Sequence, residues 1–147
     1  MCIDGSAQRE TAVALFDAAK ESLRTRHRLS IGSAKIVFCS TEKCQRAFGL
    51  GKKAGFTFGT FGIAIAPRGW TEYYLAHELV HYWQAETFGS FVLLKGEPWL
   101  IEGMAYALSN DPREVLHEPF ESYRQRFSEW YRLNQGIPLR EAVGTTL

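Results

Sequence analysis

Between Thr71 and Phe88 the chain reads TEYYLAHELVHYWQAETF, with no glycine or proline to interrupt it. Such a stretch has one good local solution, an α-helix, and this one carries His77, Glu78 and His81 in the pattern HExxH. Residues four apart on a helix lie one above the other on the same face. Both imidazoles can therefore reach a single metal ion about 2.0–2.1 Å away. Glu78 sits about 100° further round the helix. From there its carboxylate reaches a water held by the metal without being a ligand itself. Two groups that bind and one that takes a proton are what metal-assisted hydrolysis needs. The blander account is a pair of core histidines beside a surface glutamate, and the four-residue spacing on an unbroken helix counts against it.

Two imidazoles leave zinc short of the three protein ligands found in catalytic sites, where the fourth position stays open for water. After a turn at Phe88-Gly89-Ser90 and an apolar run, the chain reaches GEPWLIEGMA, residues 96–105. Glu102 lies there among Trp99, Leu100, Ile101, Met104, Ala105, Ala107 and Leu108. An unpaired carboxylate in such surroundings is costly, and a metal at its tip removes the cost. Gly103 weakens the helix, and a close approach of two helices would account for it. A glutamate on a wet face is the alternative reading of Glu102.

HELVH followed by WLIEGMA resembles the gluzincin branch of the zincin metallopeptidases, which includes thermolysin and the alanyl-type aminopeptidases. The resemblance covers roughly Gly59 to Asn110 and is closest to the aminopeptidase side. It implies one zinc ion held by His77, His81 and Glu102, with Glu78 as general base, acting on a peptide or protein substrate. The sequence departs from the pattern in three ways. The separation from His81 to Glu102 is slightly longer than in the aminopeptidases. Their Gly-Ala-Met-Glu-Asn run, which holds a substrate's free amine, is absent, so cleavage within chains is the expectation. Thermolysin also places an aspartate one turn after its glutamate ligand to steady a zinc histidine; here that position is Tyr106. Other zincins add a donor for the developing oxyanion, and Tyr106, His117, Tyr123 and Arg124 are the candidates.

A chain of 147 residues is long enough to bury a core and is expected to form one domain over residues 1–147. Its net charge of +1 gives no global field to draw it to nucleic acid. No apolar run approaches the ~20 residues of a membrane span, and no signal-peptide core follows Met1. A soluble, cytoplasmic protein is the default, or a periplasmic or secreted one if the chain has been trimmed. The three cysteines, Cys2, Cys39 and Cys44, exclude a full disulfide framework. Cys39 and Cys44 either bridge across four residues or stay reduced.

Helical periodicity runs from Ala7 to Arg26, with Ala12, Leu15, Phe16, Ala19 and Leu23 on one face and Ser6 as N-cap. Residues 34–39 read as a strand, and Glu42 to Phe48 as a helical turn closed by Gly49. In FTFGTFGIAIA, residues 56–66, bulky Phe61, Ile63 and Ile65 alternate with small Gly62, Ala64 and Ala66. The bare face suits either an interior strand under a helix or an edge strand for an extended peptide, and the resemblance selects the edge. The Glu102 helix is expected to stop before Asn110-Asp111-Pro112. A last helix starts near Pro119 and carries Phe120, Tyr123, Phe127 and Trp130 as a core stripe, with Gly136 as its stop.

The expected fold is α+β and zincin-like: a small twisted mixed sheet, an active-site helix, a glutamate helix and flanking N- and C-terminal helices. The expected activity is a zinc peptidase. The alternatives are a non-catalytic, zinc-stabilised peptide-binding module and an amidase for non-peptide links.

Overall fold

The computed structural model describes residues 2–3 and 8–147. Helix α1 spans Arg9–His27; its expected start at Ala7 and cap at Ser6 lie outside the described residues. Ala12, Ala19 and Leu23 are its fully buried face, and it packs along the HExxH helix. Four short strands follow the α+β expectation: β1 (Cys2–Ile3), β2 (Ile36–Phe38), β3 (Gly55–Thr57) and β4 (Ile63–Ile65). They form a mixed sheet in the order β1-β2-β4-β3, parallel except for the β3–β4 pair.

One expectation is overturned here. The strand with the bare face, β4, is interior: it pairs with β2 on one side and β3 on the other, and all three of its residues are buried. The edges are β1 and β3. The reason is the turn between β3 and β4. Gly59 adopts φ +57°, a left-handed conformation that glycine enters freely. The Phe58 amide donates to the Gly62 carbonyl at 2.8 Å, and the chain doubles back as a hairpin. The hairpin's turn is tied to the far end of the next helix by the Thr60 amide, which donates to Ser90 Oγ at 3.2 Å.

Helix α2 (Glu42–Ala47) lies between β2 and β3, capped by Thr41, and a disulfide joins Cys39 to Cys44 at its start. Helix α3 (Glu72–Phe88) begins where the Thr71 hydroxyl accepts from the Tyr74 amide, and it ends at Gly89. The indole of Trp70 donates to the Cys39 carbonyl at 2.8 Å, fastening the start of α3 to the end of β2. Helices α4 (Val92–Lys95) and α5 (Pro98–Leu108) follow, the latter with proline in its first turn. Then come α6 (Phe120–Leu133) and α7 (Leu139–Thr146). The short α4 and the terminal α7 escaped the sequence reading, which ended the helices at Gly136.

The main core gathers α1, β2, β4, α3, α5 and α6 around Leu23, Phe38, Ile65, Leu75, Leu79, Leu100, Met104 and Phe127. Each such side chain contributes about 1.5–3 kcal/mol by leaving water. Gly103 sets how closely α5 and α6 approach. A Cβ there would stand 2.3 Å from the Tyr123 carbonyl oxygen and 3.0 Å from Phe127 Cβ. Helix α5 is thereby held against α6 on one side and against α3 on the other. No helix among the described residues is long and apolar enough to cross a membrane.

Candidate metal centre

Helices α3 and α5 bring His77, His81 and Glu102 together. The two Nε2 atoms are 3.1 Å apart, and each lies 3.5 Å from Glu102 Oε2. Atoms bonded at 2.0–2.1 Å to a tetrahedral ion sit about 3.3 Å from one another. The triangle therefore has the size that one small ion needs, and this group could hold a metal ion. The imidazoles are nearly enclosed, with side chains 12% and 9% exposed, while the Glu102 side chain is 35% exposed. One flank of the cluster is thus open to solvent.

The charges bind to one another in the metal-free protein. Burial disfavours an imidazolium at His81, but the hydrogen bond and charge of Glu102, aided by Glu78 and Gln84, overcome it and raise its pKa to about 9. Burial likewise works against a charged Glu102, yet hydrogen bonds and charge from His77 and His81 hold its carboxyl well below the usual range.

Two polar residues missed in the sequence support the cluster. Gln84 is fully buried. Its side-chain oxygen is 2.9 Å from His81 Nδ1, and its Nε2 donates to the Ile101 carbonyl at 3.0 Å. Because Nε2 is thus committed as a donor, the oxygen is left to accept from Nδ1–H. In the neutral ring this fixes the His81 tautomer with its Nε2 lone pair turned toward the cluster. The same amide clamps α3 to α5. Its position three after His81 is the signal that could have revealed it. Thr57, on β3, donates through its hydroxyl to Glu78 Oε2 at 2.7 Å. No local pattern marks a residue 21 positions before its partner.

Glu78 stands outside the three-residue cluster while its charge is felt at His81. Of the four oxyanion candidates, Tyr106 lies beside the ligands. Its ring centre is 4.4 Å from that of His77, and burial, followed by the charge of Glu102, pushes its phenol up to about 12. It is a protonated donor at neutral pH. Arg124 is occupied elsewhere: it donates to Glu121 and to the carbonyls of Arg113 and Glu114. His117 is exposed, and the Tyr123 ring packs on Phe120. Arg113, not singled out in the sequence, lies 6.0 Å from the Tyr106 ring centre and pairs with Asp111. A hollow of about 850 Å³ between the end of α1 and the start of α7 contains none of these groups.

No protein-family model, curated protein or solved structure matches this chain.

Proposed function

We propose that this protein is a zinc-dependent peptidase that cuts within chains, with Glu78 as general base beside one ion held by His77, His81 and Glu102. The observation that carries the reading is the ligand triangle, with sides of 3.1, 3.5 and 3.5 Å, next to a carboxylate that is not part of it. Two imidazoles and a carboxylate suit zinc, whereas calcium and magnesium prefer oxygen ligands alone. An ion bound there supplies Lewis acidity, which draws a water's pKa toward ~7 and polarises a carbonyl. The chain's own groups do the rest. Glu78 accepts the proton of the attacking water and passes it to the leaving amine. In this reading the Tyr106 phenol, whose ring packs on that of His77, donates to the oxygen that gains charge.

The surface for an extended substrate is β3, in place of the β4 first expected. One side of β3 pairs with β4 and the other is the sheet's edge, where its main-chain groups can add a further strand. A sheet edge packed against the HExxH helix is the arrangement expected of a gluzincin, and the zincin-like fold is part of this proposal. The Cys39–Cys44 bridge favours an oxidising compartment over the cytoplasmic default, since cytosolic thiols are kept reduced.

The test is metal analysis of untagged protein followed by assay on a peptide library. About one zinc per chain is expected. Glu78→Ala should keep the ion and lose hydrolysis by a factor of about 10²–10⁴. Undiminished hydrolysis in that variant would refute the role of Glu78. Tight peptide binding without turnover by the wild type would mark a binding module, and turnover only on non-peptide amides would mark an amidase.

A further inference from the structure

We infer that Thr57 is the positioning residue for Glu78, and that the edge strand β3 is the seat of the general base. The inference rests on the peptidase reading and adds to it a residue from outside the ligand helices. Thr57 and Glu78 are only 7% and 8% exposed. A carboxylate so enclosed needs donors from the protein. The Thr57 hydroxyl lies 2.7 Å from Glu78 Oε2 and 3.0 Å from the Glu78 main-chain carbonyl oxygen. A hydroxyl has one proton to give, and the ionised carboxylate is the stronger acceptor. The 2.7 Å distance is that of a well-formed O–H···O hydrogen bond. Oε2 is therefore held. Among the described residues Oε1 has no hydrogen-bond partner and no buried side-chain oxygen lacks one, so Oε1 reaches solvent. One oxygen is clamped and the other is free to take a proton.

Gly55 provides an independent observation. A Cβ at this position would come within 2.9 Å of Glu78 Cγ and 2.9 Å of Ile65 Cδ1. Residues two apart on a strand face the same way. Gly55 and Thr57 thus form one surface toward α3: a bare floor under the Glu78 stem and a donor at its tip. The strand proposed to carry the substrate's main chain also orients the base that takes the proton of the attacking water. Errors in placing one relative to the other are confined to a single short element, and small misplacements of catalytic groups are expensive.

The test compares zinc-loaded wild type, Thr57→Val and Thr57→Ser on one cleaved peptide. Valine keeps the shape and removes the donor. It should lower kcat about 10- to 100-fold, with KM and zinc content within about twofold of wild type. Serine restores the hydroxyl and should return kcat to within about threefold. Wild-type kcat in the valine variant overturns the inference. So does a serine variant as slow as valine, since packing of the methyl group would then be the cause. A second readout does not depend on activity. The Glu78 carboxyl ¹³C resonance, assigned by its loss in Glu78→Gln, should move in Thr57→Val and hold in Thr57→Ser at fixed pH. If no peptide is cleaved by wild type, the peptidase reading fails, and this resonance still decides the seat: no movement in Thr57→Val overturns it.

Discussion

Helices α3 and α6 carry comparable numbers of polar side chains and use them in opposite ways. From Leu75 to Ala85 every residue of α3 except His77 is buried. On α6 only Glu121 and Phe127 are. The polar groups of α3 meet specific partners: His81 meets Gln84 and Glu102, Gln84 meets Ile101, and Glu78 meets Thr57. On α6, Arg132 and Glu129 form a 3.4 Å pair with both side chains 69% exposed. The difference teaches where polar residues carry function. A buried polar group is expensive unless it is satisfied, so its presence on α3 calls for a use. An exposed ion pair is cheap to make and cheap to lose.

Four measurements would break or sharpen this contrast, and protons on α3 should have the largest effect. His81 is held protonated up to about 9 in the metal-free protein. A ligand imidazole must be neutral, so below that pH each zinc bound should displace a proton. Affinity should fall about tenfold per pH unit, or about a hundredfold from pH 8 to pH 6. Calorimetry in buffers of different ionisation enthalpy reads this directly, and an affinity flat across that range would show that His81 does not compete for the ion. Next comes Gln84→Leu. With the partner of Nδ1 removed, zinc affinity should drop about 10- to 100-fold while helix content is kept. Unchanged affinity would reduce Gln84 to a clamp between helices.

Gly103→Ala tests whether the joint between the two regions is as tight as it looks. Its methyl would meet the Tyr123 carbonyl at 2.3 Å. A loss of about 1–3 kcal/mol in chemical denaturation is expected from such overpacking, and a neutral result would mean that α5 and α6 part easily. Smallest of all, Arg132→Ala on α6 should change stability by under about 0.5 kcal/mol and leave zinc affinity untouched. A larger effect would show that the wet face of α6 is not the solvated surface described.

Much of the candidate site was legible because it is local. The run from Thr71 to Phe88 without breakers, and the glycine turn after it, marked out α3. The end of α5 was legible from Pro112, whereas its start at Pro98 was not read. Glu102 stood out because a carboxylate in an apolar run is conspicuous. The sheet was harder to read. Alternation in residues 56–66 is compatible with an edge or an interior strand. The hairpin at Gly59 and the pairing of β4 with both β2 and β3 decided between them. Helix α7 has few apolar residues and buries only Ala142 and Val143, too little to announce itself. The bridge between Cys39 and Cys44 was left open because spacing alone does not bring two thiols together.

The chain by itself determined the helix that carries His77, Glu78 and His81, their spacing, and the end of the helix that carries Glu102, because a helix repeats over a few residues and its breakers lie next to it in sequence. Only the tertiary structure decided that Glu102 meets the two imidazoles, that β4 is interior with β3 at an edge, and that Thr57 holds Glu78 and Gln84 holds His81. Those relations join residues far apart in the chain or on separate helices. They are set by strand register and helix packing, which depend on the whole core at once.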